Sequence, residues 1–213
     1  MHPEPNSCQP PPARPTMSPL TGPGISLTFS KDAPNMLLSS PYSRAATQYK
    51  AANPSYNKQH LIVRPIDDVA IMKQENEIPD QQDNVRIYKQ VQIYSKEKSD
   101  AISAPNTPEP APTLLLALMQ PAPSGAADLD AWYRVEHNEQ MSKEPGWLRT
   151  CRYEVVSHSS DDAEAKMAFL ALHGFGEGEV LGDTVQVLQP VSEWTKKVMR
   201  DAVGMDAAIY RVV

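Results

Sequence analysis

Two aromatic residues lie just before a Glu-His pair in the stretch Trp-Tyr-Arg-Val-Glu-His, residues 132–137. On a helix, Trp132 shares a face with Glu136, and Tyr133 shares a face with His137, because side chains four positions apart are neighbours. An imidazole with a pKa of about 6.5 exchanges protons at neutral pH, and the C-terminal half of a helix favours its cationic form. His137 is therefore the candidate catalytic acid/base, and Glu136 is a second candidate catalytic group.

The two aromatic rings are candidates for binding a planar substrate. Stacking on an aromatic side chain contributes about 0.5–1.5 kcal/mol beyond the burial of area. The alternative is that Trp132 and Tyr133 only pack the helix against a sheet. A buried Tyr133 hydroxyl would in either case need a hydrogen-bond partner.

Three further residues are candidates for substrate binding. Arg149 and Arg152 lie on opposite faces of the strand that follows the helix, so at most one of them faces a given cavity. Either guanidinium could hold a substrate carboxylate or enolate, and the alternatives are solvent exposure or an ion pair, for example of Arg149 with Glu136. His173 ends a later strand beside a glycine-rich segment, 174–182, where a lid could hinge.

The spacing of histidines and cysteines does not indicate a metal site. The chain has five histidines and two cysteines, and none of them form a His-x-x-x-His or Cys-x-x-Cys pair. Cys8 and Cys151 likewise do not suggest a disulfide framework, and they suit a reducing compartment. We expect no metal and no cofactor.

Composition and charge exclude several classes of partner. The net charge is −6, and residues 112–213 carry all of it, with 9 Lys/Arg against 15 Asp/Glu. An acidic domain repels phosphate backbones, so we expect no nucleic-acid partner. The longest apolar run, 114–119, is too short to cross a bilayer, which takes about 20 residues, and the N-terminus lacks the pattern of a signal peptide. The sequence predicts a cytoplasmic protein without a membrane partner.

The last hundred residues, 113–213, have the most regular pattern. They predict a strand at 114–120, a helix at 128–144 capped by Asp128 or Asp130, strands at 147–157 and 166–173, a helix capped by Ser192, and a strand at 205–213. This order, β-α-β-β-α-β, is that of an α+β ferredoxin-like domain. Its two helices cover one face of the sheet, and a second sheet is the commonest cover for the other face.

The first half of the chain has a weaker pattern. Residues 1–24 are rich in proline and are expected to be a disordered tail. Alternation predicts a strand at 25–29, and Ser39 or Ser40 followed by Pro41 predicts a helix at 40–52. A further strand is expected within 61–69, and residues 72–112 are expected to be a linker that contains a possible edge strand at 85–94.

The motif at 132–137, followed by Met141, Lys143, Pro145-Gly-Trp-Leu-Arg149 and Arg152-Tyr153, resembles the EthD-like family of the dimeric α/β-barrel superfamily. The resemblance covers about 114–213 and is strongest to long fungal members with two ferredoxin-like repeats. It implies that 25–71 is the second half of a partial first repeat whose start has been replaced by the tail. It also implies a homodimer, with Met141 among the substrate-binding residues.

Relatives in this superfamily include cofactor-free monooxygenases, decarboxylases and cyclases of aromatic or polyketide intermediates, besides haem-dependent branches. The resemblance therefore implies a small cofactor-independent enzyme of specialised metabolism, acting on an aromatic or polyketide-like ligand with His137 as acid/base. A family likeness does not fix a reaction. The alternative is a non-catalytic barrel for binding or assembly, since a truncated repeat would expose edge strands that need a partner.

Overall fold

The computed structural model describes residues 21–32, 46–70, 84–95, 110–159 and 167–213. Its eight strands are β1 (Gly24–Ser30), β2 (Thr47–Ala51), β3 (His60–Ile66), β4 (Val85–Ser95), β5 (Thr113–Pro121), β6 (Trp147–His158), β7 (Phe169–Phe175) and β8 (Ala202–Val212). All eight pair antiparallel in one closed barrel with the order β1-β3-β2-β8-β5-β7-β6-β4. Closure removes the unpaired strand edges that a four-stranded sheet would expose.

One long helical segment joins β5 to β6, and a second helix precedes β8. The first consists of α1 (Ala126–Trp132), a π-helical turn (Tyr133–His137) and α2 (Asn138–Met141). The second is α3 (Glu193–Asp201), and its cap is the predicted one: the Ser192 hydroxyl accepts a hydrogen bond from the backbone N–H of Thr195. The element order predicted for 113–213 is thus present, with boundaries shifted by a few residues, and the α+β class is confirmed.

The cap predicted for the first helix is wrong. Gly125 precedes α1, and no side chain caps the helix there. Asp128 instead binds Lys197 and the indole N–H of Trp194, both on α3. Asp130 binds Arg134 and Arg152. Both carboxylates are bound to donors outside the first turn, so neither is available to cap it.

The first half of the chain differs most from its prediction. Its four strands take the order β4-β1-β3-β2, which repeats the order β8-β5-β7-β6 of the second half. Strand β1 therefore holds the place of a first strand, and this order does not support a partial repeat that lacks its start. The stretch predicted as an edge strand or linker is β4, which is paired on both sides, with β1 and β6.

The helix predicted for 40–52 is wrong for the residues of this range that the structure describes. Residues 47–51 form β2, which lies between β3 and β8. Thr47 and Tyr49 are residues that favour strands, and pairing on both sides outweighs a weak helical periodicity. The predicted cap residues Ser39 and Ser40, and the tail 1–20, lie outside the described residues.

The barrel has an inner core and an outer layer. Leu114, Leu116 and Leu118 of β5 point into the barrel, where they pack with residues such as Leu27 and Tyr210. The alternate residues of the same strand face outward, and Met119 packs with the helices. The helices therefore cover the outer face of β5–β8, and any site that includes the motif at 132–137 lies between these two layers.

The inner face of the sheet formed by β5–β8 is covered by β1–β4 of the same chain. A second subunit is not needed to complete the barrel. Within the described ranges, no helix is long and apolar enough to span a membrane.

Candidate functional site

A widened helical turn places three rings of the motif together. Residues 133–137 are π-helical, and the N–H of Asn138 donates to the carbonyl of Tyr133, five residues earlier. The extra residue brings Trp132 onto His137, with ring centroids 4.2 Å apart and planes 24° apart. Tyr133 meets the same imidazole edge to face at 5.1 Å. Such single π-helical turns are frequent at functional sites.

A second imidazole reaches the cluster from the sheet. His173 of β7 lies 5.6 Å from His137 and 6.5 Å from Tyr133, centroid to centroid. Its Nδ1 is 2.8 Å from the hydroxyl of Thr150, which accepts a hydrogen bond from the indole N–H of Trp147. The Thr150 hydroxyl can then donate its own proton to Nδ1, which leaves the His173 proton on Nε2. The sequence predicted both histidines as site residues, and the structure brings them together.

Both imidazoles are held in the neutral form. Burial lowers the pKa of His137 to about 4; the neighbouring Glu136 opposes this shift, and Arg152 adds to it. Burial, followed by repulsion from His137 in its protonated form and from Arg152, lowers the pKa of His173 well below its ordinary value. For His137, desolvation thus outweighs the preference of the helix end for the cation.

The phenol of Tyr133 also keeps its proton. Burial raises its pKa to about 12, against a smaller opposing effect of Arg152. Its hydroxyl is directed at the sulfur of Met119, 3.9 Å away, which is a weak acceptor. The phenol is therefore free to donate to a stronger acceptor near His137.

These side chains border a cavity of about 220 Å³ between the helices and the sheet. Trp132, Tyr133, His137, Met141 and His173, all predicted as site residues, line it. The rest of the wall is mainly apolar and comes from β5, α3, β8 and the segment 176–191: Leu115, Ala117, Leu118, Met119, Met199, Met205, Ala207, Val185, Val187 and Leu188, with Gln140, Gln186, Thr195 and Asp206 as the polar members. This lining suits a flat, largely apolar ligand with a few polar groups.

Glu136 lies beside the cavity and does not line it. Its carboxylate accepts hydrogen bonds from Ser192 Oγ at 2.5 Å, Thr195 Oγ1 at 2.9 Å and Trp132 Nε1 at 3.2 Å. The hydrogen bond from Ser192 is the main cause that lowers the pKa of Glu136. The carboxylate thus joins the π-helical turn to the N-terminus of α3, where a negative charge is favoured. In this structure the carboxylate holds the indole of Trp132 and does not border the cavity, so the catalytic role expected for Glu136 stays a prediction.

Neither predicted arginine lines this cavity. Arg152 faces the helices and is almost fully buried beneath Tyr133, with its guanidinium 4.3 Å from the ring centroid. Its Nη1 donates to Asp130 at 2.7 Å and to Gln92 at 2.9 Å. Arg149 points to the opposite side, as its parity predicts, and lines a separate cavity of about 60 Å³. Arg152 therefore supports the aromatic wall from behind.

Several residues of the site were missed by the sequence analysis. Thr150 shares the parity of Arg152 on β6 and so could have been placed on the helix-facing side. Ser192 was predicted only as a helix cap, and Thr195 was not singled out. The segment 176–191 mixes apolar and polar residues without a regular period, so its position over the cavity could not be predicted.

The Pro145-Gly146 turn of the motif supports this covering segment. Gly146 has a φ of +71°, and its carbonyl accepts a hydrogen bond from the N–H of Gly176 at 2.8 Å. A Cβ on Gly146 would lie 2.6 Å from the backbone nitrogen of Glu179. Only glycine fits here, because the conformation and the close approach both exclude a side chain.

Gly146→Ala is expected to lower the free energy of unfolding by about 1–3 kcal/mol, since it adds a backbone clash to an unfavourable φ. Guanidinium denaturation measures the loss. Gly178→Ala is the matched control, because Gly178 also has a positive φ of +85° but has open space around its Cβ position. Equal losses in the two variants would show that the close approach to Glu179 is unimportant.

The neutral histidines predict a loss of stability in mild acid. The unfolded chain binds a proton at His137 as the pH falls through about 6.5, whereas the folded chain does so only near its pKa of about 4. The contribution of neutral His137 is thus complete above pH 6.5 and declines between pH 6.5 and 4. At about pH 5 the decline amounts to at most about 2 kcal/mol.

Guanidinium denaturation at pH 7.5 and pH 5 measures this decline. His137→Asn is expected to lose less stability between the two pH values than the unsubstituted protein. His158→Asn, at a histidine outside the cavity lining, serves as the control and should keep the full decline. An unchanged decline in His137→Asn would contradict a depressed pKa at this residue.

Comparison with solved structures shows what this fold is similar to. The chain resembles the structure of an anthrone oxidase-like protein with a TM-score of 0.55, at 11% identity over 91% of this chain and 92% of that one. It also resembles a protein of Fusobacterium nucleatum described as a "putative monooxygenase", with a TM-score of 0.51, at 9% identity over 90% of this chain and 93% of that one. At such low identities the likeness establishes a shared fold.

Neither a protein-family model nor a curated protein matches the sequence. The EthD-like family, expected from the motif at 132–137, therefore stays a prediction.

Proposed function

We propose that this protein is a small enzyme that transforms a planar aromatic or polyketide-like substrate in the 220 Å³ cavity, with His137 as the base. The observation that carries the proposal is the convergence of two neutral imidazoles and a protonated phenol on a mainly apolar wall. Perturbed titratable groups in a concave apolar site are the usual marks of catalysis. The names of the two fold relatives favour oxidation among the possible reactions.

His137 suits proton removal because it is neutral at working pH. It would accept a proton from the activated C–H or O–H of a phenolic substrate, and the Tyr133 hydroxyl would donate to the oxygen on which negative charge develops. The neighbouring Trp132 would stack on the flat ring system. Decarboxylation or cyclisation would use the same base with a different substrate.

For an oxidation, the substrate carbanion itself supplies the electrons that reduce dioxygen. With anthrone as the test substrate, one anthrone and one O2 give one anthraquinone and one water. The methylene carbon loses two hydrogens and gains one oxygen atom, and the second oxygen atom leaves as water. No step of this sequence needs a bound cofactor.

We also infer that each half of the chain is a ferredoxin-like repeat and that the barrel is of the dimeric α/β-barrel type with both halves in one chain. The repeated strand order, β4-β1-β3-β2 and β8-β5-β7-β6, supports this assignment. A homodimer, expected from the resemblance, would then form through a surface other than the barrel seams. The alternative of a non-catalytic assembly protein rested on exposed edge strands that need a partner. The closed barrel leaves no barrel strand unpaired on one side, so it does not support this alternative.

The proposal is tested by incubating the chelator-treated protein with anthrone and with 1,8-dihydroxyanthrone under air. We expect quinone formation, followed by absorbance, well above the rate in buffer, with one O2 taken up per quinone and no reaction without oxygen. A rate no higher than in buffer would count against the oxidation. A rate that requires an added metal would count against cofactor independence.

A further inference from the structure

A second cavity, of about 280 Å³, lies next to the first beneath the segment 176–191. Six residues line both cavities: Leu115, Met141, Val185, Gln186, Val187 and Leu188. Because these six residues border both spaces, the two cavities are adjacent. A ligand longer than a flat ring system would extend from the histidines past Met141 into the second space.

The second cavity has a different chemical character. It is lined by Glu144 and by the amides of Gln186 and Gln189, beside apolar residues of the covering segment. Glu144 is only partly buried, and among the described residues its carboxylate has neither a hydrogen bond nor an ion pair. A carboxylate at a cavity wall is an acceptor for ammonium or hydroxyl donors.

The position of Glu144 on the chain ties this cavity to the catalytic helix. Its N–H donates to the carbonyl of Met141, and its own carbonyl accepts from the N–H of Trp147. The turn that holds Glu144 therefore follows α2 directly and precedes Gly146, on which the covering segment rests. The helix and the covering segment thus hold Glu144 at the wall of the second cavity, and Glu144 does not line the first cavity, which His137 borders.

We propose that the second cavity is a subsite for a substituent of the aromatic substrate that donates hydrogen bonds, and that the Glu144 carboxylate accepts from it. The substrate class would then be an aromatic compound with an amine-bearing or hydroxylated side chain. This inference rests on the proposed function only for the position of the aromatic ring beside His137. The subsite itself is assigned from Glu144, Gln186 and Gln189.

Two naphthyl compounds of matched shape test the subsite. N-(1-naphthyl)ethylenediamine ends in an ammonium group, and N-propyl-1-naphthylamine has a methyl group in its place. Quenching of tryptophan fluorescence, with calorimetry as a check, gives their dissociation constants at pH 7.5. We expect the diamine to bind about tenfold more tightly, as for a hydrogen bond to a charged group.

Glu144→Gln should remove this preference and leave the affinity for the propyl compound unchanged. Glu177→Gln is the control, because Glu177 is an exposed carboxylate of the same covering segment and lines neither cavity. It should keep the tenfold preference.

Equal affinities of the two compounds for the unsubstituted protein, or a preference that survives Glu144→Gln, would overturn the subsite. Failure of both compounds to bind would overturn it as well. A preference that depends on Glu144 in a protein that does not oxidise anthrone would support the subsite and contradict the oxidation. The two proposals therefore fail separately.

Discussion

His137→Ala is expected to lower kcat for anthrone oxidation by at least about 100-fold, the usual contribution of a positioned general base. Its ring stacks on Trp132 and borders the cavity, and among the described residues it makes no hydrogen bond to another side chain. Its loss should therefore change the melting temperature little. His158→Ala, at a histidine outside the cavity lining, is the control and should keep full activity.

The pH profile distinguishes His137 as the base from a structural role. A cationic imidazole cannot accept a proton, so kcat/KM should rise with pH through about 4, the pKa of His137, and stay level above about pH 5.5. An acid limb centred near pH 6.5 would mean that the base is an ordinary, solvated histidine. Unchanged turnover in His137→Ala would exclude this residue as the base altogether.

The sequence predicted the second half of the fold well, for a physical reason. In 113–213 the alternation of apolar residues along the strands and the cap of α3 are local patterns, so periodicity and caps locate these elements. Ser192 is an example, since its hydroxyl meets the N–H of Thr195 only three residues away. The prediction for the first half was wrong at β2, whose five residues form a strand through pairing with β3 and β8.

The sequence predicted which side chains lie near the cavity better than it predicted their contacts. The spacing of Tyr133 and His137 indicated a shared face, and their rings do meet. The π-helical turn adds the contact of Trp132 with His137, which a period of 3.6 residues does not predict. The partners of Glu136, Ser192 and Thr195, could not be predicted, because they lie more than fifty residues away in sequence.

The charge state of His137 could not be predicted from its position in the helix. The helix end favours the cation by about 0.3–1 kcal/mol, whereas burial beside Trp132, Tyr133 and His173 acts in the opposite direction and is larger. Burial of this kind depends on which strand faces the helix and on what covers the cavity. The segment 176–191, which provides the cover, has no helix or strand period to reveal its position.

Arg152→Ala is expected to lower the free energy of unfolding by about 3 kcal/mol. The side chain is only 4% exposed in its ion pair with Asp130. Its removal takes away the shorter of the two hydrogen bonds that Gln92 accepts and the group beneath the Tyr133 ring. Losses of this size are typical when a large, almost fully buried side chain is truncated to alanine. Guanidinium denaturation measures the change.

Arg134→Ala provides a control with the same partner carboxylate. Arg134 Nε also binds Asp130, at 2.7 Å, but both side chains are largely exposed in this pair. Exposed pairs contribute about 0–1 kcal/mol, so this variant should be nearly as stable as the unsubstituted protein. Equal losses in the two variants would show that burial of Arg152 is not what makes it important.

Arg152 also acts on the site through its charge, and Arg152→Met tests this. The guanidinium helps to lower the pKa of both His137 and His173, so an apolar side chain of similar length should raise these pKa values. The acid limb of kcat/KM should then move to higher pH, while Arg152→Lys, which keeps the charge, should leave it in place. An acid limb that stays near pH 4 in Arg152→Met would show that Arg152 only supports the Tyr133 wall, because a purely structural role changes stability without moving the titration of the base.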